Sequence, residues 1–229
     1  MTDKQTEHPK IAPPRGRLGV LLPGLGAVAT TFVAGVEAVR RGFAQPIGSI
    51  TQMGTIRLGK RTEARTPLIR DFVPLANLSD LEFAAWDPIP DDGLESARVA
   101  GVLGEAHLRQ VGDFLATIKP LPAVFSQDYV KKLKGENVKR GANKRELAEA
   151  LRADIRRFKE ERGCDRLVMV WCASTEVFLS PGPVHQSIEA FEEGLEKSDP
   201  GISPSMIYAY AAIQERVPFA NGAPNLTVD

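Results

Sequence analysis

Gly24, Gly26 and Ala29 stand in the spacing Gly-x-Gly-x-x-Ala directly after the apolar run Leu18-Gly-Val-Leu-Leu22 and ahead of a helical stretch that reaches Arg41. A strand, a glycine turn and a helix in that order cradle the pyrophosphate of a dinucleotide. Gly24 lets the chain turn sharply off the strand, Gly26 lets backbone approach phosphate with no Cβ between them, and Ala29 keeps the helix tight against the sheet. The unpaired N–H groups of the first helical turn, with the helix dipole behind them, then face the phosphate charge. A nicotinamide-type cofactor is the first hypothesis. A purely structural turn is the alternative, because glycine turns after strands are common.

Two further sets of residues bear on that hypothesis. The run Leu81-Glu-Phe-Ala-Ala-Trp86 reads as a strand that ends at Asp87, where a carboxylate can bond the adenosine ribose hydroxyls. Asp87 lies well beyond the ~20 residues of the plain fingerprint, so this role requires residues 45–75 to be an insertion between the first two strands. Read more simply, Asp87 before Pro88 is a turn former. The continuous apolar run Arg166–Trp171 has the signature of a strand covered on both faces, and it delivers the small polar segment Cys172-Ala-Ser-Thr-Glu176 to the carboxyl edge of the sheet, where ligands of open α/β sheets bind.

Other chemistries find less support. Cys164 and Cys172 have neither Cys-x-x-Cys spacing nor a second pair, so free thiols are expected, and the scattered His8, His107 and His185 suggest no metal site. A self-contained NAD(P) dehydrogenase needs a Tyr-x-x-x-Lys or its equivalent, and neither Tyr208 nor Tyr210 has a lysine at that spacing. Lysine and arginine number 29 against 29 acidic residues, so no global charge steers the chain to nucleic acid or to a membrane surface. The first residues carry no apolar signal segment and no run is long enough to span a bilayer, which reads as a cytoplasmic protein.

The elements that must position these residues follow from pattern. Residues 1–16 are polar and proline-rich and read as a disordered lead-in, with one domain over 17–229. Asp92-Gly93 opens a helix through Leu103, and 105–117 form another. Ile118–Phe125 reads as an extended connection into a further strand. Leu147, Leu151, Ile155 and Phe158 mark the apolar face of a helix over Lys144–Arg162, whose other face mixes both signs of charge and so reads as solvated rather than as a nucleic-acid patch. Ser203 is the expected N-cap of a helix that starts at Pro204 and runs to Glu215, and Val217–Phe219 the expected last strand. The fold class is α/β, a Rossmann-like doubly wound parallel sheet.

In several independent segments the chain resembles inositol-3-phosphate synthases, also called myo-inositol-1-phosphate synthases. The segments, in order, are Trp86-Asp87, Ile118-Lys-Pro-Leu-Pro122, Leu151–Glu160, Val170–Glu176 and Val217–Asn225. The resemblance runs from about Leu18 to Asp229 and is to the N-terminal, NAD-binding half of that family. It implies a tightly held NAD, conversion of glucose 6-phosphate to 1L-myo-inositol 1-phosphate without net redox change, and no partner in nucleic acid or membrane. Residue by residue, it implies that Gly24, Leu25, Gly26, Ala27 and Val28 surround the pyrophosphate, that Asp87 holds the ribose, and that Val124 sits near the adenine. Cys172, Ala173, Ser174 and Thr175 would line the nicotinamide side, with Gly222 also approaching the cofactor. Many relatives carry two asparagines and a glycine where this chain has Ala27-Val28-Ala29, and an Ala-Asn-Thr where it has Ala173-Ser174-Thr175, so backbone rather than amide side-chain contacts are expected at those places. The resemblance places the family's catalytic lysines and much of its tetramer interface beyond the position of Asp229. A sheet incomplete at its C-terminal side, with no catalytic residue in this stretch, is therefore expected, and a non-catalytic NAD-binding module or partner of a full-length synthase is the alternative.

Overall fold

The computed structural model describes residues 13–227, so the expected lead-in lies outside the described residues as far as residue 12. Strands β1 (Arg17–Pro23), β2 (Leu81–Trp86), β3 (Cys164–Trp171) and β4 (Phe219–Asn221) form one sheet in the order β2-β1-β3-β4, with every neighbouring pair parallel. Between them run helices α1 (Ala27–Arg40), α2 (Ile50–Met53), α3 (Ile69–Phe72), α4 (Gly93–Ala100), α5 (Glu105–Leu115), α6 (Lys144–Arg162), α7 (Ile188–Lys197) and α8 (Pro204–Gln214). None of the described helices is long and apolar enough to cross a membrane.

The two-residue period of the strands divides the core in two. Val20 and Leu22 of β1 and Phe83 and Ala85 of β2 face α1, α4 and α5. Leu21, Ala84, Trp86, Met169 and Trp171 face the other way, onto α6 and α8. Helices thus cover both faces, the doubly wound arrangement that near-continuous apolar strands require. Local signals set the boundaries. Asp92 Oδ1 accepts from the backbone N–H groups of Leu94 and Glu95 at the start of α4, and Asn143 Oδ1 accepts from that of Glu146 at the start of α6. Gly101 and Gly163, at φ of +65° and +59°, close the same two helices, so α4 stops at Ala100 rather than at Leu103.

Residues 45–75 do lie between α1 and β2, where they hold single-turn helices, turns and the isolated Thr55–Leu68 bridge, and Ile47, Ile50 and Phe72 of this region are exposed. The strand expected after Ile118–Phe125 does not form. Pro120 and Pro122 remove two backbone donors, and the segment makes only isolated bridges, Leu121 to Trp86 and Ala123 to Val138. The last strand begins at Phe219 rather than at Val217, because Pro218 can accept from Met169 N but has no N–H with which to continue a ladder. Helix α7, capped by Ser187 Oγ, was not anticipated from the sequence.

Candidate functional site

In the order β2-β1-β3-β4 the chain moves from β1 to β2 on one side and then crosses to β3 on the other. The carboxyl ends of β1 and β3 therefore border a topological switch point, the crevice where open α/β sheets bind ligands. Gly24 follows β1 there with φ +91°, and its N–H donates to Trp86 O at 2.7 Å. A Cβ on Gly24 would lie 2.5 Å from Ala173 Cα and N, so glycine is required for the exits of β1 and β3 to meet. Cys172 N donating to Pro23 O at 2.9 Å joins the same two exits. Gly26 is different. A Cβ there would meet nothing within 4 Å, which leaves open space above the N-terminus of α1. Gly26 caps that helix without a side-chain bond, and no acidic residue occupies the first turn, so the early N–H groups face the opening with no side-chain competitor.

Asp87 stands half-buried at the end of β2. Its Oδ2 accepts from Leu25 N at 2.7 Å and its Oδ1 from Ile89 N at 2.9 Å. Burial pushes its carboxyl pKa up, and these two backbone donors oppose that shift. The carboxylate is thus fixed by the glycine turn itself. The same bond changes the part of Leu25, because its N–H is directed at Asp87 and its side chain, 1% exposed, packs in the core with α1. The structure does not bring Leu25 to the cavity wall.

The other anticipated residues do share one wall. Gly24, Gly26, Ala27, Val28, Asp87, Val124, Cys172, Ala173, Ser174, Thr175 and Gly222 all line a cavity of about 460 Å³. Gly222 reaches it because its N–H bonds Trp171 O, which a Cβ at Gly222 would approach to 2.6 Å. Burial raises the pKa of the Cys172 thiol, so its sulfur sits there as a small apolar group rather than as a thiolate.

Three aromatic residues in the same wall, Trp86, Trp171 and Tyr208, were not singled out as site residues in the sequence. The two-residue period of β2 and β3 puts Trp86 and Trp171 on one face of the sheet, whereas Tyr208 depends on where α8 docks. Glu176 is the other addition. It is 7% exposed, and its carboxylate accepts from Ser205 N at 2.9 Å and Ser205 Oγ at 2.6 Å in the first turn of α8. Ser203 makes no capping bond; its Oγ pairs with Ser205 Oγ, and Glu176 caps the helix in its place. Burial raises the Glu176 pKa against these hydrogen bonds.

This set of groups fits a dinucleotide. An uncapped helix N-terminus, a Cβ-free approach at Gly26 and a carboxylate at the end of β2 lie along one cavity whose size is in the range of cofactor sites, ~300–1,000 Å³. An NAD-binding family model described as myo-inositol-1-phosphate synthase matches residues 18–228. Among the relatives it matches, inositol-3-phosphate synthase 1 of Bacteroides thetaiotaomicron is 48% identical over 222 residues, covering 96% of this chain and 51% of the relative. Inositol-3-phosphate synthase 1 of Oryza sativa subsp. japonica is 34% identical, covering 97% and 47%. The crystal structure of inositol-3-phosphate synthase from Caenorhabditis elegans superposes with a TM-score of 0.86 at 28% identity, covering 94% of this chain and 46% of that one. The chain spans about half the length of the relatives it matches.

Proposed function

This chain belongs to the myo-inositol-1-phosphate synthase family, and from that premise we propose that it carries the NAD-binding part of an enzyme converting glucose 6-phosphate to 1L-myo-inositol 1-phosphate. In this reading the first N–H groups of α1, reached across Gly26, hold the pyrophosphate, with Ala27 and Val28 beside it. Asp87 accepts from the adenosine ribose hydroxyls, and the Leu25 and Ile89 N–H groups keep its carboxylate oriented for that task. Val124 lies beside the base, and Cys172, Ala173, Ser174, Thr175 and Gly222 border the nicotinamide. Bound NAD supplies a hydride acceptor and donor for a reaction with no net redox change. The apolar wall of Trp86, Trp171 and Tyr208 keeps water from that side of the cavity.

The observation that carries the reading is the contact of Gly24 with Ala173, which gathers the ends of β1, β2 and β3 around one opening. Calorimetric titration with NAD tests it. Binding in the micromolar range that Asp87→Ala weakens is the expected result, and no binding by the protein that carries this chain rejects the cofactor assignment. Formation of inositol phosphate from glucose 6-phosphate by the protein that carries this chain tests the substrate. Its absence with NAD bound rejects the substrate and leaves the cofactor site standing.

A further inference from the structure

Tyr208 lies in the middle of α8, 1% exposed, with its ring edge-on to Trp86 at 5.7 Å and to Trp171 at 5.5 Å between centroids. Its hydroxyl oxygen accepts from Val124 N at 3.1 Å. That bond uses an oxygen lone pair and leaves the O–H proton to be placed, and among the described residues no acceptor receives it. A buried donor with no acceptor costs roughly 1–3 kcal/mol, so the Tyr208 O–H, on a residue that lines the cavity, points to an occupant that brings an acceptor.

The position of Tyr208 selects which part of the occupant it meets. Asp87 N donates to Leu121 O at 3.2 Å, and Asn137 Nδ2 donates to Asp87 O at 2.9 Å, so the segment that carries Val124 runs beside the end of β2. A carboxylate at that strand end receives the ribose, and the base attached to that ribose enters the adjoining apolar slot. Val124, Phe125, Leu133 and Tyr208 are among the residues that line the cavity, Val124 and Phe125 on the segment that passes the end of β2. Aliphatic side chains there offer a purine its packing surface but no polar discrimination, and the phenolic O–H is a donor suited to a ring nitrogen.

We propose that Tyr208 recognises the purine base of the cofactor, its O–H donating to a ring nitrogen while the Val124 N–H holds its oxygen in place. The proposal rests on the NAD reading. It assigns a base-specificity role to a residue of α8, outside the glycine turn and the strand ends.

The test is a set of calorimetric titrations with ADP-ribose and with analogues in which each ring nitrogen of the adenine in turn is replaced by CH. Tyr208→Phe is expected to weaken ADP-ribose about tenfold, a change of about 1.4 kcal/mol. One of the analogues is expected to bind the unsubstituted chain as weakly, and the substitution to cost nothing further with that analogue. An equal loss with every ligand overturns the proposal, since the hydroxyl then serves only to hold Val124, and no loss with any ligand overturns it as well. The unsubstituted chain alone also decides, because an adenine whose ring nitrogens can all be replaced without effect has no such donor. Failure of ADP-ribose itself to bind would overturn the NAD reading together with this one, whereas the other negative outcomes leave that reading intact.

Discussion

Gly24 and Gly26 stand two positions apart in one motif, yet the structure gives them separate duties. At Gly24 a side chain collides with the Ala173 backbone and would have to adopt φ +91°, so Gly24→Ala should cost upwards of ~2 kcal/mol in urea unfolding. At Gly26 a methyl group meets only open space, so Gly26→Ala should cost no more than the ~1 kcal/mol of a poorer N-cap while NAD binds at least about tenfold more weakly. Similar losses of stability at both positions would sink that distinction. Glu176 allows a prediction with a sign. Its pKa in the folded chain is raised by burial, so the folded state holds the proton more tightly than the unfolded one, and this group's contribution to stability is fully present below the ordinary value of 4.5 and is lost as pH rises through the raised value. The isosteric Glu176→Gln variant should therefore gain stability relative to the parent as pH climbs from 4 toward 8 in parallel urea titrations. A difference that stays flat or reverses would contradict the assignment. At this scale the glycines and Asp87 were legible from spacing and strand ends. The engagement of the Leu25 amide with Asp87 was not, because it requires two loops remote in sequence to meet.

Helix α6 and strand β3 show what makes an element legible. The helix has Asn143 at its start, Gly163 at its end and four apolar positions at helical spacing, and β3 is a continuous apolar run, so local and global preferences agree. Elements that the sequence misplaced are those in which proline or tertiary packing decides. The Pro120 and Pro122 segment looks extended but cannot sustain a ladder, and α8 carries an N-cap serine whose hydroxyl is engaged elsewhere. Asp154 of α6 ties the layers together. Its carboxylate, 5% exposed, accepts from Trp86 Nε1 at 2.9 Å, from Lys139 Nζ at 2.6 Å and from Arg157 at 2.7 Å. Asp154→Ala leaves the largely buried Lys139 charge and the Trp86 N–H unpaired together, so a loss of about 3–5 kcal/mol is expected from denaturant midpoints. A loss below about 1 kcal/mol would show that these groups find other partners.

Across the whole molecule, the doubly wound sheet was legible from the alternation of strands and helices, and the crossing between β1 and β3 put the cavity where such sheets open. The floor of the cavity was not legible, since Tyr208 belongs to a helix that is apolar nearly all round and whose sequence alone does not reveal which face meets the site. Hydrogen exchange should report this architecture. NAD is expected to slow exchange over residues 24–29, 121–138 and 172–176 while leaving 43–75 unchanged, and protection spread evenly over the chain would speak against a single site at the switch point. Glu176 has a consequence of another kind. By sequence it continues the loop that borders the cavity, but its carboxylate bonds the first turn of a helix buried on nearly every side. Substitution at the exposed Ser174 and Thr175 therefore leaves the fold untouched, whereas at Glu176, which also lines the cavity, it strips the helix of its cap whatever the ligand.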